Sequence, residues 1–322
     1  MLIEFLLSFL ILCVTSILCI ITSGGLIFEL IEPALIIGFP AILAIMIFIS
    51  GNGRAFLKVF AGAKKIKSAG LKELKQTESA VSFAFKTLIY ICLFFMLIST
   101  MYFYLNLDET QTLGFNLATV IISIYYMCFF GMILITIRGK LKTNIINFMA
   151  EEESVPTAKK LNGRAILFRC IKIVICLAAI IGIYLLIIYS NTVNHSGSEP
   201  LSFYNMRDIP GLVYIFIPTL LLITVSSNFK NFFNAIKFCF SGEKLSVTQK
   251  SVAVNSIETM RILFFLDGLM CTLDGCLGML YNLEDRSMLG VNIVIACVPL
   301  IYGLLFNLVL LPVESKVAQL SD

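Results

Sequence analysis

The feature that most constrains the fold of this chain is a series of apolar runs, each about as long as a bilayer is thick. A helix needs about 20 apolar residues to cross a hydrocarbon core of ~30 Å, and hydrophobic residues make up 59% of the sequence. The sequence therefore predicts an all-α integral membrane protein with eight transmembrane helices, at about 2–22, 32–50, 87–105, 115–137, 171–189, 209–225, 262–281 and 288–313. The first run has no basic start and no Ala-x-Ala site, so we interpret it as a span and not as a cleaved signal.

The charged residues between these runs predict an orientation. Of the 24 Lys and Arg residues, eight lie at 54–86, eight at 138–172 and five at 230–261, whereas the alternate loops hold only Arg207 and Arg286. The positive-inside rule then places both termini in the cytoplasm. The net charge of +4 reflects these inner loops, and because the basic residues flank spans without interleaved aromatics we do not predict nucleic-acid binding.

A second feature is an internal repeat at a fixed offset of 176 residues. Over 50–140 only 13 of 91 positions are identical to their counterparts, but five of these identities fall within 106–116, in a short polar loop. Asn106-Leu107, Leu113-Gly114 and Asn116 recur there as Asn282-Leu283, Leu289-Gly290 and Asn292. Apolar bias cannot produce identities in a polar loop, so we interpret the chain as a tandem duplication.

The repeat divides the chain into two four-span units. The first unit covers 1–145 and the second covers 166–322, with a cytoplasmic linker at 146–165 that contains an acidic run, Pro156 and Asn162-Gly163. Each unit starts and ends on the cytoplasmic side, so the two repeats are predicted to be parallel. Parallel repeats disfavour the inverted-repeat plan of many secondary transporters.

Two stretches carry a resemblance to a known family. The first unit has Gly24-Gly25 and then a span that opens with Pro33, Leu35, Ile36-Ile37 and Gly38. The second unit has a fuller set of motif residues: Gly268-Leu269-Met270-Cys271-Thr272-Leu273, Gly275, Leu289-Gly290, Asn292, Tyr302-Gly303 and Leu311-Pro312. Together they resemble the MotA/TolQ/ExbB family of ion-driven motor proteins, and MotA most closely.

The resemblance implies a role for the chain. It implies a subunit in the bacterial inner membrane that associates into a ring around single-span partners of the MotB/ExbD/TolR type, whose aspartates carry the ion. It also implies that Thr272, Pro299 and Pro312 belong to the ion pathway or contact the partner helix. The glycines, Pro33 and Asn292 would then be structural residues of the motif.

Several departures from the family pattern qualify these expectations. The glycine expected before the threonine is Cys271, the polar position expected in the last span falls at or beside Pro299, and Met96 replaces the threonine in the first unit. Rings of this family contain five subunits, which whole chains cannot provide if both units take ring positions. Either the ring holds an even number of units, or one unit builds the ring and the other packs outside it. The loss of the motif from the first unit favours the second alternative.

Two carboxylates inside a span are the candidate chemical groups. Asp267 and Asp274 are the only acidic residues outside loops, span ends and termini, and their spacing of seven places both on one helical face. An ionised Asp at mid-membrane costs ~2.5–3.5 kcal/mol even on lenient scales. We expect them to line a proton path or contact a partner helix, or to be neutral groups satisfied within the bundle. Thr272 lies about 200° round the helix from Asp274 and need not share that face.

The remaining polar residues predict no further site. The sequence has one histidine, no CxxC pair, no P-loop and no nucleophile triad, so we predict no enzyme activity, no cofactor and no metal. Pro312 is expected to end the last span, and Gly275 to allow close helix packing. The function expected is that of a proton-driven motor or energising subunit. A non-conducting structural or assembly subunit and a small-molecule transporter are the alternatives.

Overall fold

The computed structural model describes residues 2–22, 27–60, 70–105, 113–150, 209–241, 245–281 and 289–318. All regular structure in these residues is helical, with short 3-10 turns at Ile27–Leu30 and Lys58–Phe60. The α-helices are α1 (Leu2–Thr22), α2 (Pro33–Ile49), α3 (Gly53–Leu57), α4 (Leu71–Leu105), α5 (Leu113–Ala150), α6 (Ile209–Val225), α7 (Phe229–Ser241), α8 (Val247–Tyr281) and α9 (Leu289–Ala318).

The apolar helices identify a multi-pass membrane protein. Among the described residues, five helices are long and apolar enough to cross a bilayer, namely α1, α4, α5, α8 and α9. The count is six if α6 and α7, which meet at a bend of 104°, form one span, and α2 is a shorter apolar helix. The span predicted at 171–189 lies outside the described residues, as does the linker from residue 151 onward. The expectation of eight spans therefore stays a prediction.

Three helices extend well beyond their predicted spans, always toward the basic side. The helix α4 begins at Leu71 although its apolar run begins near 87, and α8 begins at Val247 although its run begins near 262. Likewise α5 continues to Ala150, past an apolar run that ends near 137. The added turns are rich in Lys, Glu, Gln and Asn, and hydropathy does not detect such turns even where they are helical.

Ion pairs join these extended ends and fix the relative direction of the helices. The Arg138 guanidinium on α5 contacts Glu78 on α4 at 3.1 Å and Glu258 on α8 at 3.8 Å, and Lys142 contacts Glu258 at 3.0 Å. The helices α4 and α8 therefore begin on the same side of the bundle, where α5 ends. Two further ion pairs lie at the same end, Lys140 with Glu4 and Arg261 with Glu314.

The helix bounds recur at the offset found in the sequence. The helices α6, α7, α8 and α9 begin 176 positions after α2, α3, α4 and α5, and α6 and α8 also end 176 positions after α2 and α4. The turns that follow α2 and α6 match in conformation as well, because Gly51 and Ser227, again 176 apart, both have positive φ, at 76° and 60°. The packing pairs recur too, since α4 packs on α5 and α2 as α8 packs on α9 and α6.

The two sets of helices meet along a seam between α5 and α8. The described part of α1 lies across this seam, in contact with α5, α6 and α8. At the basic end a buried polar network closes the seam: the Asn255 amide donates to the Gly139 carbonyl and to the Thr143 hydroxyl, both at 3.0 Å. The Thr143 hydroxyl in turn donates to the Asn228 side-chain oxygen at 2.6 Å. These hydrogen bonds join α5 to α8 and to the turn after α6, which fixes the register of the seam, while Nδ2 of Asn228 is buried with no hydrogen-bond partner among the described residues.

A second close contact joins α8 to α9 through small residues. A Cβ added to Gly303 would lie 2.7 Å from the Phe264 carbonyl oxygen, and one added to Gly268 would lie 3.0 Å from the Pro299 oxygen. Gly275 is similarly close to Ala296, with its built Cβ 3.0 Å from the Ala296 Cβ. Backbones approach this closely in membranes only where side chains are small, as expected for Gly275.

We expect Gly303→Ala to lower the free energy of unfolding of the purified chain by about 1–3 kcal/mol, and with it the thermal midpoint, because the new methyl group meets rigid backbone. Gly131→Ala is the matched control, since its added methyl would meet the movable Phe85 ring at 3.2 Å. Thermal unfolding in detergent compares the two variants. Equal midpoints would contradict a tight α8–α9 crossing.

Candidate functional site

The two intramembrane carboxylates lie in the centre of the bundle. Asp267 and Asp274 project from the same side of α8 and have no exposed surface. The helix α8 packs on α1, α5 and α6 as well as on α9. The glycines that contact α9, Gly268 and Gly275, each follow an acid by one residue and so lie about 100° round the helix from it. The acids therefore lie between the two sets of helices and not on the lipid-facing surface.

Asp267 has one hydrogen-bond donor from a neighbouring helix. The Thr219 hydroxyl on α6 donates to Oδ2 of Asp267 at 2.9 Å. The other carboxyl oxygen, Oδ1, is buried and has no hydrogen-bond partner among the described residues. The site thus supplies one hydrogen bond to a group that accepts up to four when ionised.

Asp274 lies two turns further along α8 in a poorer environment. Cys19, Tyr125 and Cys271 are close enough to interact electrostatically with its carboxyl group. Within the described part of the chain, neither carboxyl oxygen has an oxygen or nitrogen hydrogen-bond partner. A thiol is a weak donor, so Cys19 compensates little of the cost of burying this group.

The nearest cation along the chain does not neutralise either acid. Arg261, six residues before Asp267, forms an ion pair with Glu314 and donates from Nε to the Asn307 side-chain oxygen at 3.0 Å. The other ion pairs in the described ranges join groups at the basic end of the bundle. The carboxyl pair is therefore set apart from the charged end by apolar residues, among them Leu263 and Leu266.

Thr272 lies on the opposite side of α8 from the acids. Its hydroxyl oxygen accepts a hydrogen bond from the backbone N–H of Leu300 on α9 at 3.0 Å. Leu300 follows Pro299, where a proline disturbs the helical hydrogen-bond ladder. Thr272 thus provides an acceptor for the backbone N–H next to Pro299, and this hydrogen bond joins α8 to α9.

The other motif residues are distributed along the helices. Pro33 is the first residue of α2, where its missing backbone N–H costs nothing. A Cβ added to Gly38 would lie 2.8 Å from the Phe95 ring. Gly290 and Asn292 lie in the first turn of α9, and Gly24 and Gly25 lie outside the described residues. The helix α9 continues past Pro312 to Ala318, so Pro312 does not end the helix, and the expectation that it ends the membrane span stays a prediction. The pair of Glu314 with Arg261 holds these final turns against α8.

Sequence reasoning missed the groups that surround the acids. Thr219 was detectable as a polar residue within an apolar run, next to Pro218. Cys19 and Tyr125 carried no such signal, because they come from α1 and α5 and reach the site only through the packing of the bundle.

The comparisons with known proteins add no identification. No family model matches the chain, and neither a curated protein nor a solved structure is significantly similar to it. The site must be interpreted from its own geometry.

We expect Thr219→Val to destabilise the chain by about 1 kcal/mol, because it keeps the side-chain volume and leaves Oδ2 of Asp267 without its donor. Thr224→Val on the same helix is the control, since the Thr224 hydroxyl is exposed and donates only to the Leu220 carbonyl of its own helix. Thermal unfolding of both variants in detergent measures the difference. A Thr219→Val midpoint no lower than that of Thr224→Val would contradict the Asp267 contact.

Proposed function

We propose that the chain is a membrane subunit of a proton-driven motor or energising complex of the MotA/TolQ/ExbB type, in a bacterial inner membrane, which acts on a single-span partner of the MotB/ExbD type. The observation that carries the proposal is the pair of similar helix sets that point the same way, with two acids buried where they meet. The matching helix bounds support the tandem duplication predicted from the sequence. The ion pairs of Arg138 with both Glu78 and Glu258 support its parallel sense.

The buried acids suit a proton rather than a metal ion. Among the described residues no group of three or more His, Cys, Asp and Glu side chains could hold a metal. An ionised Asp at this depth, without a cation beside it, costs several kcal/mol, whereas a carboxylic acid that keeps its proton does not carry this cost. A buried carboxyl group that releases its proton only when a path opens is suited to couple proton transfer to helix movement.

Within this proposal the two acids have different roles. Asp274 accepts and releases the proton, because its oxygens have no oxygen or nitrogen partner to hold the charge in one state. Asp267 is the positioning residue on the same face, tied to α6 through Thr219. Thr272, Pro299 and Pro312 then contribute by shaping the α8–α9 pair and not by contacting the proton.

A non-conducting structural subunit is the second candidate, and two observations favour it. Both carboxyl groups are completely enclosed, and Thr272 is engaged in a backbone contact with Leu300. In that case the acids would be neutral hydrogen-bonding groups that align α8 with its neighbours.

Asp274→Asn separates these candidates, because it preserves shape and removes the titratable proton. The chain is purified with whatever single-span protein accompanies it and reconstituted in vesicles that contain a pH-sensitive dye. We expect proton uptake under an imposed gradient to fall about tenfold or more. Asp267→Asn, which keeps a group able to bond Thr219, is expected to reduce uptake less.

Assembly is measured in the same preparations by size-exclusion profile and thermal midpoint. Unchanged uptake in Asp274→Asn, with intact assembly, would exclude proton transfer through this group and leave the structural role. Solute uptake by the chain alone, with no partner helix present, would instead indicate the transporter that the sequence left open.

A further inference from the structure

The helix α1 presents hydroxyl and thiol groups to the interior of the bundle. Its buried residues are Ser8, Leu12, Ser16, Cys19 and Ile20. Their spacing places all of them within about 120° of arc, on one face of the helix. The helix packs on α5, α6 and α8, which are the helices around the two acids. The buried face of α1 is therefore a polar surface that leads toward Asp274.

Ser8 is the least expected residue of this face. Its side chain has no exposed surface, and its hydroxyl group has no hydrogen-bond partner among the described residues. A helical serine can donate to a carbonyl of the preceding turn, as the Ser16 hydroxyl does to the Leu12 carbonyl at 2.7 Å. A buried hydroxyl group that lacks a partner costs about 1–3 kcal/mol. A water molecule that reaches the group offsets this cost, so the Ser8 position is suited to water.

One turn before Ser8, the same face reaches the basic end of the bundle. Glu4 forms an ion pair there with Lys140, near the end of α5, and the two side chains are 20% and 21% exposed. Solvent thus reaches α1 at the level of Glu4. Helical rise places Ser8 only about 6 Å further into the bundle. A short polar connection therefore leads from solvent to the buried Ser8 hydroxyl.

The inner end of the polar face lies near Asp274. Tyr125 on α5 is 3% exposed, and its side chain interacts with Ser16 and is within electrostatic range of Asp274. By helical rise, Ser16 lies about 18 Å beyond Glu4, and Asp274 about 24 Å beyond Glu258 at the same basic end. Ser16, Tyr125 and Asp274 therefore lie at neighbouring depths and follow one another across three helices.

Leu12 interrupts the polar face between Ser8 and Ser16. It is fully buried and belongs to the same apolar cluster as Met132 on α5 and Leu266 on α8. Helical rise separates Ser8 from Ser16 by about 12 Å. A single water molecule can bridge two oxygen atoms only about 5.5 Å apart, because each hydrogen bond spans about 2.7–2.8 Å. The apolar Leu12 side chain thus lies where a continuous chain of hydrogen bonds would have to pass.

We propose that the buried face of α1, together with Tyr125, forms the proton path from the basic end of the bundle to Asp274, and that Leu12 is the barrier that closes it. A hydroxyl group relays a proton by accepting one from one neighbour while it donates its own to the other. Ser8, Ser16 and Tyr125 can therefore act without carrying a net charge. A movement of α1 that displaces Leu12 connects the two polar segments. This role of α1 depends on the proposed function, in which Asp274 accepts and releases the proton.

Exchange of the Asp274 proton for deuterium tests the path without a partner protein and without an ion gradient. The purified chain is transferred to D2O, and the infrared band of protonated carboxyl groups is followed with time. The Asp274 contribution is the part of this band that disappears in Asp274→Asn. We expect Leu12→Ala to accelerate the exchange about tenfold or more, because the barrier is removed. Leu10→Ala is the matched control, since Leu10 lies on the same helix and is 59% exposed.

Two further variants remove hydroxyl groups with little change of volume, so the fold is kept if Leu12→Ala fails to fold. We expect Ser8→Ala and Tyr125→Phe each to slow the exchange severalfold, because each breaks the relay. Thr22→Val is their control on α1, since the Thr22 hydroxyl is exposed and donates only to carbonyl groups of its own helix.

The outcomes separate this path from the proposed function. No acceleration in Leu12→Ala, together with no slowing in Ser8→Ala and Tyr125→Phe, would overturn the path while a protonated Asp274 leaves the proposed function standing. No Asp274 contribution to the band in the parent chain would overturn both. In the vesicle assay, Leu12→Ala is expected to increase passive proton leak, and Leu12→Ala with Asp274→Asn to abolish the increase. A leak that persists in the double variant would show a route that bypasses Asp274 and would overturn the path.

Discussion

The packing of α5 against α8 is the interaction on which the rest of the structure depends. It is close because Gly139 has no side chain where the Thr259 hydroxyl approaches. It is specific because hydrogen bonds run across it from Asn255 to Thr143 and from Thr143 to Asn228. Ion pairs at the basic end hold the same two helices, which are antiparallel, in register. Helix association in membranes gains little from apolar burial and relies on close packing and polar contacts. The seam combines both.

The seam also determines the environment of the two acids on α8. One face of this helix carries small residues that admit α9, and a neighbouring face, about 100° round the helix, presents Asp267 and Asp274 to α1, α5 and α6. Both sides are occupied, so the acids are held away from lipid and from the charged end. In the proposed function this isolation makes proton release depend on helix movement. Any movement that separates α5 from α8 would also change the environment of Asp274.

The sequence predicted the helical membrane class and the two acids, because hydropathy and intramembrane charge are local properties. It placed Thr272 off the acidic face from spacing alone, and the structure places it against Leu300. It could not predict Thr219, Cys19 and Tyr125 as neighbours of the acids, since each comes from a different helix. Nor could it predict that α9 passes through Pro312, because the ion pair of Arg261 with Glu314 is a tertiary contact. Hydropathy likewise missed the polar turns that lengthen α4, α5 and α8.

The central claim is that two similar helix sets cross the membrane in the same direction, and the accessibility of matched positions tests it most directly. Lys72 and Thr248 lie 176 positions apart, in the first turns of α4 and α8. The variants Lys72→Cys and Thr248→Cys are labelled with a membrane-impermeant maleimide in cells and in inverted vesicles, and the parent chain with its ten native cysteines is the blank. The account predicts that both positions are labelled from the same side, the inside. Labelling from opposite sides would contradict it.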